Sequence, residues 1–232
     1  MPDIDAYVQH KNYMSFQHKR PDYTEAITLS LNLAKKNIKN KDVVVGDFCC
    51  GTGDNTKKFA HQQHGLQKAI LIDINKGFLE IAKSSSIKAK ELVILHDNIL
   101  NVTFEKECDI VFSIFAYHHI QDKNKIDYVN QIKKCLKKGG ILILTEIFFD
   151  NKKQCLEYYD DLYESIPINC RVQGLKEFLK QTAESNDFEF KVSKKFSDSQ
   201  FKENGFKLME EIKVWPKNNN SHLGTFVQVY TH

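Results

Sequence analysis

Five apolar runs of strand length, alternating with segments of helical period, constrain this chain more than any other feature. They are DVVVGDF (42 to 48), AILIDI (69 to 74), ELVIL (91 to 95), DIVFSIF (109 to 115) and GILILTEIFF (140 to 149). Continuous Val/Ile/Leu runs suit strands buried on both faces, and helical crossovers between them make the strands parallel. The intervening TKKFAHQQ, NKGFLEIAKS and KNKIDYVNQIKKCLKKGG supply those crossovers. In the last of these, Ile126, Val129, Ile132 and Leu136 fall on one helical face. Lys133, Lys134, Lys137 and Lys138 crowd its C-terminal end, and Gly139 is the expected C-cap. The fold class is therefore α/β, a doubly wound Rossmann-like domain.

No repeat, low-complexity block or linker divides the sequence, so residues 1–232 are read as one domain. Before the first strand, PDYTEAITLSLNLAKK is a helix capped by Asp22, with Glu25 three residues on. Residues 1–40 form an N-terminal helical cover and 41–150 the core. Residues 151–232 hold two late helices, at 151 to 165 and 171 to 185, followed by GFKLMEEIKVW and HLGTFVQVY as a terminal antiparallel strand pair.

With 41% hydrophobic residues, a chain of 232 residues can bury a sizeable core by itself. Its net charge of +3 comes from a Lys-rich composition with Arg20 and Arg171 as the only arginines, which disfavours dedicated nucleic-acid binding. The N-terminal MPDIDAYVQHKNYMSF lacks a basic stretch followed by an apolar core, and no run approaches bilayer length. A soluble, cytoplasmic protein without membrane or DNA partners is expected, and a homodimer is allowed. The six cysteines show no CxxC spacing and adjacent Cys49 and Cys50 cannot easily chelate one ion, so reduced packing thiols and no metal site are expected.

In an open parallel sheet, ligands sit beyond the carboxyl ends of the strands near the switch point. The first such end is GDFCCGTGDN, where Gly51 and Gly53 permit a tight turn and close backbone approach ahead of a helix N-terminus. A third glycine would complete a dinucleotide pattern, but position 56 is Thr. Asp73 ends the second strand at the spacing of a ribose-binding acid. Asp97 can accept from an exocyclic adenine amine, and the backbone of Asn98 or Ile99 can meet a ring nitrogen. Asp47 is unhelpful against a pyrophosphate and suits a cationic ligand group. A cofactor with adenine, ribose and a positive amino acid tail fits these positions better than a dinucleotide.

GDFCCGTGDN resembles motif I of class I S-adenosylmethionine (SAM) dependent methyltransferases, in the variant seen among ubiquinone and menaquinone methyltransferases, with Cys49 where the first glycine usually stands. DINKGFLEIAK, HDNI, FSIFAYHHI and LKKGGILILTE resemble the later motifs of that family, over roughly residues 20 to 150. The resemblance implies the strand order 3-2-1-4-5-7-6 with strand 7 antiparallel. It implies that Asp47, Cys49, Gly51 and Gly53 bind the methionine portion of SAM, Asp73 and Ile74 the ribose side, and Asp97, Asn98 and Ile99 the adenine, with Phe115 along the cofactor. RPDYTEAI is also similar to a segment of carboxy-SAM synthases, which implies that Tyr23 covers the cofactor; a Tyr packed at a helix start is the other reading. Those synthases carry an arginine shortly before a late Gly-Phe, and counting back from Gly205 and Phe206 gives approximately Gln200, a neutral amide.

The activity implied is methyl transfer to a small-molecule acceptor. Carboxy-SAM chemistry in tRNA modification and a non-catalytic SAM-binding partner subunit are the alternatives, and a nicotinamide oxidoreductase is a distant third. A sulfonium methyl is already activated, so orientation provides most of the acceleration and a base is needed only for a protonated acceptor. His118 and His119, after the fourth strand, and Glu146, within the fifth, are the candidates, with His118 placed ahead of His119. Tyr13, Tyr158, Tyr159, Tyr163 and Arg171 are candidates to line an acceptor pocket.

Overall fold

Strand β1 (Val44–Phe48) runs through the middle of a seven-stranded sheet. Its neighbours are β2 (Leu66–Asp73) and β4 (Cys108–Ile114), both parallel to it. The computed structural model describes residues 16–39, 42–184, 189–217 and 221–232. With β3 (Ala89–His96), β5 (Leu136–Phe148), β6 (Lys207–Trp215) and β7 (Gly224–Thr231), the order is β3-β2-β1-β4-β5-β7-β6. β7 is antiparallel to both β5 and β6. This is the Rossmann-like order implied by the family resemblance.

Helices cover both faces, as the doubly apolar strands require. On one face, Ala26, Ile27 and Leu31 of α1 (Pro21–Asn37), Phe59 of α2 (Asp54–Gln62) and Leu79 of α3 (Lys76–Ser84) pack with Val45, Phe112 and Ile143. On the other, Tyr128, Val129 and Ile132 of α4 (Lys125–Cys135) and Phe201 of α7 (Lys194–Glu203) meet Phe48, Val111 and Leu142. α5 (Lys152–Ser165) and α6 (Leu175–Glu184) form a third cluster with Ile147 and Phe149 beyond β5. No helix among the described residues is long and apolar enough to cross a membrane.

Three local expectations are corrected. Asp22 does not cap α1: the helix starts at Pro21, and Asp22 is buried inside it, bonded to Arg20 and to the hydroxyl of Tyr158. Glu25 faces outward to Lys217. Gly139 does not cap α4, whose C-cap is the extended Leu136; the chain enters β5 directly. Gly139 lies in an irregular stretch where Cys108 pairs with Leu136 but Ile110 with Ile141, and its φ of +76° suits that bulge. Helix α7 has no counterpart in the sequence reading, because only Ser197 and Phe201 of its ten residues are buried and the apolar period is correspondingly faint.

Candidate active site

The strand order reverses between β1 and β4, and their carboxyl ends open onto a cavity of ≈ 540 Å³. Both strand ends carry backbone strain. Cys49 after β1 has φ +56° and Phe115 after β4 has φ +52°, conformations that side chains rarely adopt. At Cys49 this explains why a glycine commonly stands there: the tight turn needs a left-handed residue. At Phe115 the backbone turn is pinned by its N–H donating to the Thr145 carbonyl, and the ring enters the cavity and stacks on Tyr23 at 5.2 Å.

The two glycines divide the work of the turn. A Cβ on Gly51 would meet nothing within 4 Å, so this residue leaves room on the cavity side. A Cβ on Gly53 would lie 2.7 Å from Leu71 Cδ2, so this glycine is required for packing α2 against β2. Gly53 does not line the cavity. Nor does Asp47, which is 2% exposed and accepts a hydrogen bond from Thr56 Oγ1 at 2.6 Å. Burial raises the Asp47 pKa to about 7, against the Thr56 hydrogen bond and with help from Asp73. The residue that breaks the dinucleotide pattern, Thr56, is thus the partner of Asp47.

Asp73 ends β2 at the cavity with one oxygen accepting from Gly51 N and the other from Asn75 N, each at 2.8 Å. Burial raises its pKa, opposed by those backbone hydrogen bonds and by His119. Ile74, Asp97, Asn98 and Ile99 also line the cavity, as do Cys49, Gly51, Tyr23 and Phe115. Asp97 Oδ1 accepts from Asn98 N, which fixes the loop after β3.

The helical cover contributes a cation that the sequence reading did not place. Arg20 is 3% exposed yet borders the cavity. Its Nε and one terminal nitrogen donate to Asp22, and the other donates to Gln17 Oε1. The guanidinium lies 5.9 Å from the Phe115 ring centroid and 5.6 Å from that of Tyr159. The signal was present in the sequence, since Arg20 is one of only two arginines and opens the segment similar to carboxy-SAM synthases.

After β4, a 3-10 turn over Tyr117–His119 brings the histidines to the cavity. Lys125, fully buried, holds that turn by donating to the carbonyls of Tyr117 and Ile120. His118 is buried, and its Nδ1 shares a hydrogen bond with Glu146 Oε1 at 2.5 Å while its backbone N–H donates to Oε2. Burial, then His119, holds the His118 imidazole well below its usual pKa. Burial lifts Glu146 to about 7 despite hydrogen bonds from Ile147 N and His118 N. Both histidines line the cavity; His118 is bonded to Glu146, and His119 is the more exposed of the two. Glu146 does not line the cavity.

Of the acceptor candidates, Tyr159 lines the cavity and Tyr13 lies outside the described residues. Tyr158 does not reach it; its hydroxyl bonds Asp22 and Thr225, joining α1, α5 and β7. Tyr163 packs beneath Arg171, and Arg171 is held by Glu164 and the Ile166 carbonyl, away from the cavity. Gln200 on α7 is also remote from it. Residues missed by sequence reasoning include Phe178 and Thr182 of α6, and Glu189 and Phe190 after it. They stand far from any motif in the sequence, and only the docking of α6 brings them in.

The methyltransferase domain family model matches residues 45–140, which include the ends of β1 to β4 at this crevice. Over that stretch the chain is similar to the methyltransferase domain family. A demethylmenaquinone methyltransferase of Staphylococcus saprophyticus is 24% identical over 55% of each chain, so the match spans about half the length of that relative. A carboxy-S-adenosyl-L-methionine synthase of Campylobacter hominis is 24% identical over 84% of this chain and 82% of its own. Among solved structures, the N-methyltransferase NodS of Bradyrhizobium japonicum, in complex with S-adenosyl-L-homocysteine (SAH), superposes with a TM-score of 0.60 at 14% identity, covering 92% of this chain and 88% of that one. At that identity the likeness concerns the fold of the domain.

Proposed function

We propose that the protein transfers the methyl group of SAM to a small-molecule acceptor held in the aromatic half of the cavity. The observation that carries this reading is one cavity lined by Gly51 and Asp73 together with Phe115, Tyr159 and His119. The residues present fit the cofactor. Each Asp73 oxygen holds one backbone amide and keeps lone-pair capacity for a ribose hydroxyl. The Gly51 turn leaves open space, and Asp97 to Ile99 line the side expected for adenine. Arg20 is the cation at the cavity that suits the carboxylate of the methionine tail.

When bound, SAM supplies a sulfonium methyl that needs no further activation. The chain's own residues have the tasks of orienting an acceptor and excluding water. Tyr23 and Phe115 form a stacked wall, and Tyr159, Phe178 and Phe190 extend it, which suits a flat or apolar acceptor. His119 and Glu189 are the groups through which an acceptor would be held or relieved of a proton. Incubation with isotopically labelled SAM and a metabolite extract, followed by mass spectrometry, tests the reading. A labelled product with stoichiometric SAH supports it; SAM binding without any product favours the non-catalytic partner subunit.

Carboxy-SAM formation is the second reading, favoured by the long coverage of the Campylobacter hominis relative. Against it, Gln200 does not line the cavity and Arg171 is engaged by Glu164. Prephenate added with SAM is expected to give no carboxy-SAM, and detection of that product by mass spectrometry would make this reading the leader.

A further inference from the structure

His118, His119 and Glu189 come together at the cavity from two separate parts of the chain, with one ligating atom from each within 4.8 Å of the others. We infer that they form a binding site for one divalent transition-metal ion. The argument starts at Glu146. This carboxylate accepts the His118 and Ile147 backbone N–H groups, so the contact to His118 Nδ1 is best satisfied by a proton on Nδ1. That assignment leaves the Nε2 lone pair directed toward Glu189 Oε2, 3.6 Å away. Two electron-pair donors then face each other at a distance too long for a hydrogen bond, an arrangement that a cation between them would satisfy.

A carboxylate that fixes a histidine tautomer from behind is also the usual support of a metal-ligating imidazole. Here Glu146 is that support, and it has no access to the cavity itself. Two imidazole nitrogens and one carboxylate oxygen select ions of the Zn²⁺, Co²⁺ or Fe²⁺ kind over Mg²⁺ and Ca²⁺, which prefer all-oxygen sites. Three protein ligands leave coordination positions open. If the methyl-transfer reading holds, a hydroxyl-bearing acceptor would take such a position, its oxygen bound to the ion and its proton more easily lost.

Lys191 competes for the site. Its ammonium donates to Glu189 Oε2 at 2.5 Å and to the Thr182 carbonyl at 3.0 Å, so an ion must displace it from the carboxylate. This competition gives the proposal an outcome that a merely structural cluster would not produce: removing the lysine should tighten metal binding.

The experiment uses the whole protein, stripped with chelator and without cofactor, so that its result is independent of the methyl-transfer reading. Co²⁺ titration followed by visible absorption and Zn²⁺ titration by calorimetry should show one ion per chain. His119→Ala and Glu189→Gln should each weaken binding by about 10-fold or more. Lys191→Gln should strengthen it, and retained SAH binding in each variant shows that the fold persists. No binding by the wild-type chain would overturn the site. So would a thiolate charge-transfer band, which would place the ion on cysteines, or affinities unchanged in the His119 and Glu189 variants.

Discussion

The backbone N–H of Gly51 donates to Asp73 Oδ2 at 2.8 Å, tying the turn after β1 to the end of β2. One carboxylate therefore shapes the turn, and under the proposed function it also holds the ribose. The expected consequence is that Asp73→Ala weakens SAH binding by about 1 to 3 kcal/mol. Calorimetry on the folded variant, with folding verified by circular dichroism, checks this. An unchanged dissociation constant would reduce Asp73 to a loop anchor.

The turn itself separates two kinds of position. Cys49→Gly removes a strained left-handed side chain, and its stability should stay within about 1 kcal/mol of the parent because the relief is offset by a more flexible unfolded chain. Gly53→Ala places a Cβ 2.7 Å from Leu71 Cδ2 and should cost about 1 to 3 kcal/mol. Urea unfolding of both variants compares them directly.

Arg20→Lys keeps the charge near Asp22 but loses the planar fork. If the arginine reads the methionine carboxylate, SAH affinity should fall by about 10-fold, equivalent to about 1.4 kcal/mol. Adenosine, which lacks that tail, should bind as before. Equal losses for both ligands would mean that Arg20 acts only through packing of the cover.

The histidine pair should divide by stability. His118→Asn leaves Glu146 without its ring partner in a buried setting and should cost about 1 to 3 kcal/mol. His119→Asn, at the more exposed position, should remain within about 0.5 kcal/mol. Thermal unfolding of the two variants measures the contrast, and similar losses for both would contradict the assigned environments.

Asp47 should leave a trace in the pH dependence of stability. Its folded pKa of about 7 lies above the unfolded value near about 4, so the folded state holds the proton more tightly. This contribution is full below pH about 4 and is lost as pH rises through about 7. Asp47→Asn keeps the acceptor for Thr56 and removes the titration. Relative to the wild-type chain, its stability should therefore decline less between those pH values, as measured by urea unfolding across the range.

The sheet was legible in the sequence because burial on both faces writes itself as continuous apolar runs, as in Val43 to Val45, Ile70 to Ile72 and Ile141 to Leu144. Gly51 and Asp73 were legible because a turn and a strand end lie at a fixed separation in any chain that closes this crevice. Helix limits and caps were less so: Asp22 has the chemistry of a cap, but Arg20 and Tyr158 draw it into the interior.

What only the tertiary structure decided is which polar groups share a space. Arg20 and Tyr159 meet across the cavity because α5 docks on the N-terminal cover, a contact between segments with no common period or spacing. The same holds for Glu189 beside His118, and for the burial that separates His118 from His119 although they are neighbours in sequence. Local pattern determines which face of an element is apolar, since that follows from backbone geometry. The partners of a charged side chain depend on long-range packing, and there the chain's identity as a string of residues carries no distance information.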